Sequence, residues 1–140
     1  MSISKASAKW EGSLKDGKGA MKPAHGADVP FSLTTRFQGA PGSNPEEMIG
    51  AALAGCFSMA LSASLGKANL TPTSIETSAD VHLDKEGEGF KISKIELKTK
   101  ASVPGLDKAK FEGIAEETKQ NCPVSKALTG TQITLVATLA

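Results

Sequence analysis

Two cysteines, Cys56 and Cys122, are the residues in this chain best able to do chemistry. A thiolate is a nucleophile, and two thiols can be oxidised together to a disulfide. Two cysteines brought together are therefore a redox pair, provided that one of them ionises. Their neighbours differ sharply. Cys56 lies within Met48 to Leu61, a run of small and apolar residues, and at helical spacing it shares a face with Ile49, Ala52, Leu53, Met59 and Ala60. On that evidence it is first a small buried hydrophobe. Burial among apolar groups raises a thiol's pKa, so a reactive Cys56 needs an imported positive charge, for which Arg36 is the candidate. Cys122 precedes Pro123, which restricts its dihedrals and suits the first position of a helix. As an N-cap it meets the free N–H groups of Val124 and Ser125 and the positive end of a short helix, conditions that lower a thiol's pKa. Local physics alone makes Cys122 the easier thiolate; an ordinary loop cysteine that caps a turn is the equal alternative.

Other chemistries find no support. His25 and His82 stand far apart and neither has metal-ligand spacing to a cysteine. Nucleophile elbow, phosphate loop and dinucleotide fingerprint are absent, and Gly12, Gly17 and Gly19 suit hairpin geometry. A net charge of +1, with Lys and Glu spread along the chain, argues against nucleic acid. Two cysteines in 140 residues are too few for a disulfide framework, and the opening segment lacks a signal peptide's apolar core, so a reducing cytoplasm is expected. The length fits a single domain over residues 1–140.

These thiols must be positioned by a particular set of elements. Residues 4 to 12 and 18 to 23 flank Asp16-Gly17, a type I′ hairpin signal, and residues 31 to 38 alternate as a third strand with Arg36 near its end. Asn44-Pro45-Glu46-Glu47 supplies an N-cap, a first-turn proline and a glutamate at the third position; the helix runs to a stop at Gly66. The uncharged stretch 48 to 65 could span a membrane by length, but it is rich in Ala, Gly and Ser and lacks basic flanks. It reads as a helix buried all round, in a core or against a partner subunit. Gly50, Ala54 and Ser58 recur every four positions, which suits close helix approach in a dimer or a tight core. Residues 75 to 84 and 90 to 103 alternate as two strands, with Lys94, Glu96, Lys98 and Lys100 facing solvent. Asp107 caps a further helix, Pro123 begins another, and Ile133 to Leu139 alternate as a last strand. The expected fold is α+β, with antiparallel sheets packed on a central long helix in the order βββ-α-ββ-α-α-β.

Four segments, in order along the chain, resemble the family of osmotically inducible protein C (OsmC) and organic hydroperoxide resistance (Ohr) proteins. They are Thr35-Arg36-Phe37, Asn44 to Leu61, Thr71-Pro-Thr-Ser-Ile75 and Cys122-Pro-Val-Ser125. The Trp10-Glu11-Gly12 opening and the Thr-Arg-Phe segment are closer to the OsmC branch. The resemblance implies an intertwined homodimer with helices inside, acting as a thiol-dependent peroxidase on organic hydroperoxides in stress defence. It makes Cys56 the peroxidatic cysteine, Cys122 the resolving cysteine, Arg36 the thiolate-activating group and Glu46 its carboxylate partner. It further implies reduction by dithiols such as dihydrolipoyl groups on proteins, without metal, haem or flavin. The rival reading is a thiol redox sensor or binding module that oxidises without turnover. Ile49, Leu53, Phe57 and Met59 are the expected apolar lining for a substrate tail. Glu46 and Cys56 share one helix, and a rise of about 1.5 Å per residue separates their Cα atoms by roughly 15 Å. A site that uses both therefore draws Arg36 and Glu46 from the partner chain.

Overall fold

The computed structural model describes residues 2–140, in two compact units that divide between Met48 and Ile49. The fold is mixed α+β.

In the first unit, β1 (Ala6–Glu11), β2 (Lys18–Pro23) and β3 (Val29–Phe31) form an antiparallel sheet in that order. The hairpin falls where the sequence places it, but Glu11 pairs with Lys18, so the loop covers residues 12–17 and is not a two-residue turn. Gly17 N–H donates to Ser13 O at 2.7 Å inside that loop, and a Cβ on Gly17 would stand 2.3 Å from the same oxygen. Across β1 to β3, Trp10 and Phe31 bring their ring centroids to 5.5 Å over Gly19. The expected strand over 31–38 ends early. Ser32 accepts from Thr35 N–H at 3.3 Å while Ser32 N–H donates to Thr35 Oγ1 at 2.9 Å. That reciprocal box starts a short helix, α1 (Leu33–Phe37), which overrides the alternating pattern. Arg36 thus sits in a helix, and the element order gains one helix over the expected order.

Helix α2 (Pro45–Lys67) begins as expected, with Asn44 Oδ1 accepting from Glu47 N–H at 2.8 Å. It passes Gly66 and closes on Asn69, whose φ of 60° allows Leu70 N–H to reach Leu65 O at 2.9 Å and Asn69 N–H to reach Gly66 O at 3.0 Å.

The second unit is built on α2 from Ile49 onward. Strands β4 (Ser74–Glu86) and β5 (Gly89–Ser102) pair antiparallel, with an irregularity between His82 and Leu83. Strand β6 (Gln132–Leu139) then joins β5 in parallel, which corrects the expectation of purely antiparallel sheets. A parallel neighbour needs a crossover, and α3 (Lys108–Asn121) with α4 (Pro123–Ala127) supplies it.

Leu53, Phe57, Leu61 and Leu65 recur every fourth residue along α2 and are fully buried with Ile95, Leu97 and Phe111. Each contributes about 1.5–3 kcal/mol by burial. The helix is not buried all round: Ala52, Gly55, Met59 and Ala63 are exposed, Met59 at 79%. Gly50 and Ser58 pack on the chain's own sheet. A Cβ on Gly50 would stand 3.1 Å from Val81 Cγ2, and Ser58 Oγ bonds Thr77 Oγ1 at 2.8 Å, which continues to Thr99 Oγ1 at 2.9 Å.

Candidate active site

The hydroxyl chain Ser58–Thr77–Thr99 sets how α2 is rotated on its sheet, and so where Cys56 points. A second bond sets the approach of α3. Thr118 Oγ1 lies 3.3 Å from Ser64 Oγ on α2, and Thr118 O accepts from Cys122 N–H at 2.9 Å. Cys122 closes α3 and caps α4 with extended dihedrals (φ −66°, ψ 139°), as Pro123 requires.

The two thiols meet within this second unit. Cys56, half-buried, lies close enough to the Val124 backbone N–H and to the Cys122 side chain for both to act on its thiol. Burial pushes the Cys56 thiol above its ordinary value of 9.0; the Val124 N–H pulls it down, and Cys122 pushes it further up. Burial is the largest of these influences, so the rise wins. Cys122 is 1% exposed. Its S–H donates to Ser125 Oγ at 3.2 Å, and its Sγ accepts from Ser125 N–H at 3.4 Å. The N-cap read from Pro123 is therefore present. The Ser125 hydroxyl was not singled out from the sequence, although its place three residues after an N-cap is the signal that could have found it.

Arg36 and Glu46 meet in the first unit. Arg36 Nε donates to Glu46 Oε1 at 3.0 Å and to Oε2 at 3.2 Å, with a further bond from a terminal guanidinium nitrogen. The fork fits the carboxylate, which is 7% exposed, and the guanidinium stands 5.2 Å from the Phe37 ring centroid. An apolar groove beside Arg36 is lined by Trp10, Leu14, Phe31, Leu33 and Phe37. The lining read from the sequence fares worse. Leu53 and Phe57 are core residues at 0% exposure, and Met59 faces outward. Helical spacing names a face but not which half of that face the sheet covers. Among the described residues, no cluster of three or more His, Cys, Asp or Glu is arranged to hold a metal.

Residues 38–136 match the family model of OsmC-like proteins. This chain belongs to the OsmC-like family. The matched span holds Glu46, Cys56 and Cys122, while Arg36 lies just ahead of it. The chain is 53% identical over 126 residues to peroxiredoxin OsmC of Escherichia coli (strain K12), covering 89% of this chain and 88% of that protein. It is 34% identical over 103 residues to the organic hydroperoxide resistance protein of Xanthomonas axonopodis pv. citri, covering 73% and 70%. An OsmC-like protein of unknown function from Vibrio cholerae shares the fold at a TM-score of 0.78 with 18% identity, over 98% of this chain and 99% of that one. The organic hydroperoxide resistance protein OhrB of Bacillus subtilis gives 0.69 with 25% identity, over 97% and 98%. As an OsmC-like protein the chain stands nearer the peroxiredoxin OsmC than the Xanthomonas protein, in line with its opening and Thr-Arg-Phe segments.

Proposed function

We propose that this OsmC-like chain is a cysteine peroxidase that reduces organic hydroperoxides to alcohols in a reducing cytoplasm. The observation that carries the reading is the meeting of Cys56 with Cys122 in a fold shared with named peroxide-resistance proteins. The Cys56 thiolate attacks the distal oxygen of ROOH; the O–O bond breaks, Cys56 becomes Cys–SOH, and the alkoxide takes a proton to leave as ROH. Cys122 then attacks the sulfenic sulfur, the S–S bond forms, and water departs. A dithiol, such as a dihydrolipoyl group on a protein, returns both cysteines to thiols and is itself oxidised to a disulfide.

The first step needs a thiolate, yet burial favours the thiol. Arg36 is the group that reverses this, held by Glu46. Glu46 and Cys56 stand on one helix, about 15 Å apart along its axis, so the arginine serving one Cys56 comes from a second copy of the chain. The exposed apolar residues Ala52, Gly55, Met59 and Ala63 on α2 support a homodimer built across that helix, and a two-fold interface creates two equivalent sites. The aromatic groove beside Arg36 supports an organic substrate, whose alkyl or aryl group gains about 25 cal/mol per Å² of apolar area buried. Peroxide consumption with a dithiol reductant tests the reading. Organic hydroperoxides are expected to show the higher kcat/KM; equal or better efficiency with hydrogen peroxide removes the organic-substrate part, and no turnover with either removes the whole.

A further inference from the structure

Among the described residues, the bond between Cys122 and Ser125 is a side-chain contact of a candidate reacting atom that the proposed function leaves without a role. Both residues are buried, Cys122 at 1% and Ser125 at 7% exposure, so water is a poor substitute partner for the sulfur. Two groups of Ser125 reach the same Sγ: the hydroxyl at 3.2 Å, which accepts from the S–H, and the backbone N–H at 3.4 Å, which donates. The hydroxyl can rotate about its C–O bond, so it serves as acceptor or donor according to need.

We propose that Ser125 drives the resolving step, by accepting from the Cys122 thiol at rest and turning to donate to Cys122 sulfur as its proton leaves. This rests on the roles of Cys56 and Cys122 given above. The step balances as Cys56–SOH plus Cys122–SH giving Cys56–S–S–Cys122 plus water. The electron pair on Cys122 sulfur forms the S–S bond. The S–O bond breaks with its pair on oxygen, and the departing hydroxide combines with the proton from Cys122. Ser125 ends unchanged. While the negative charge sits on Cys122, Oγ–H and N–H of Ser125 both point at it, and hydrogen bonds to a charged group are worth more than those to a neutral one. Alanine keeps the N–H and removes only the hydroxyl, so the two donors separate experimentally. The hydroxyl matters to this step alone, since Cys56 draws on Val124 N–H and not on Ser125.

The test follows the intact homodimer after one equivalent of tert-butyl hydroperoxide, by rapid quench and mass spectrometry, across a range of pH. Wild type, Ser125→Ala and Ser125→Thr are compared, with a sulfenic-acid trap present or absent. In Ser125→Ala the Cys56 sulfenic acid should form at the wild-type rate. Its closure to the disulfide should slow about tenfold at neutral pH, with the pH–rate profile displaced upward by about one unit. Trapped sulfenic acid should rise accordingly, and Ser125→Thr, which keeps the hydroxyl, should restore closure. Should circular dichroism show that alanine unfolds the chain, Ser125→Gly removes the hydroxyl with a different packing defect and carries the same expectation. Closure at the wild-type rate and pH profile overturns the role of Ser125 while leaving the cysteine roles intact. Slow closure with an undisplaced profile that threonine does not rescue reduces Ser125 to packing and overturns it too. A wild-type chain that forms no Cys56–Cys122 disulfide overturns both.

Discussion

The arginine–carboxylate pair of the first unit and the dithiol pair of the second are built on opposite terms. Arg36 and Glu46 satisfy each other: a buried carboxylate receives a fork of N–H donors, and each charge is neutralised by its partner. Cys56 and Cys122 do not. The Cys56 thiol is pushed up by burial and again by Cys122, with only the Val124 N–H working the other way and no cation among these influences. A charged pair with its geometry complete but no reacting atom, and a reacting pair that lacks a charge, are on the proposed reading the complementary halves of a site shared between two copies of the chain. Fold alone assigns neither half a use; the chemistry of thiolate formation does.

The largest effects should come from the dithiol. Cys56→Ser is expected to reduce peroxide turnover to background, whereas Cys122→Ser still permits one oxidation and leaves a Cys56 sulfenic acid that a trapping reagent labels in the intact-mass spectrum. Label on Cys122 in the Cys56→Ser chain, with none ever on Cys56, reverses the roles. Next comes the charged pair. Arg36→Ala should lower the rate of the first oxidation by roughly 10- to 100-fold and move its pH profile upward, because each pKa unit is a factor of ten in thiolate. The same change strands a buried carboxylate. Breaking a buried pair costs about 3–5 kcal/mol, and the 37% side-chain exposure of Arg36 brings the expected loss in denaturant unfolding to about 1–2 kcal/mol. Rates unchanged in Arg36→Ala would leave the two halves unrelated.

Two smaller changes separate the faces of α2. Gly50→Leu pushes into Val81 and Ala79 and should cost about 1–3 kcal/mol in stability, read by urea unfolding. Gly55 has nothing within 4 Å of an added Cβ, so Gly55→Leu should leave the fold intact and weaken the proposed dimer in sedimentation. The reverse pattern would put the partner on the Gly50 face. The smallest effect is alkaline. A folded thiol with a raised pKa holds its proton more tightly than the unfolded one, so its stabilisation is complete below the ordinary value of 9.0 and is lost as pH rises through the raised one. Cys56→Ala should therefore flatten the fall in Tm as the pH rises above 9.0.

How far the sequence could be read depended on whether a signal was local. Asn44-Pro45, Asp107 and Cys122-Pro123 mark helix starts through contacts made within three residues, and all three caps are present. The alternation over 75 to 84, which put Ile75, Thr77, Ala79, Val81 and Leu83 on one face, was equally local; it holds as far as Val81, and an irregularity between His82 and Leu83 then interrupts it. The Ser32–Thr35 box was also local but was masked by an alternating pattern, so α1 was read as strand and Arg36 was placed on the wrong element. Non-local facts were out of reach. The parallel pairing of β6 with β5 depends on where a crossover returns, and the outward turn of Met59 depends on which side of α2 the sheet covers. At the site, cysteine neighbours ranked Cys122 as the easier thiolate, and the family resemblance reassigned the first step to Cys56. The Arg36–Glu46 fork needs a helix and a loop to bring its ends together; Arg36 was named through the need of Cys56 for a cation, and its pairing with Glu46 through resemblance and not through spacing.

Mixed dimers of a Cys56→Ser chain with an Arg36→Ala chain test most directly whether the two halves meet across a dimer. If Arg36 and Glu46 of one chain serve Cys56 of the other, one of the two sites in each mixed dimer keeps all four residues, and about half the wild-type activity per dimer returns from two inactive parents. If the mixed dimers stay inactive although mass spectrometry shows that the subunits have exchanged, the shared site is contradicted.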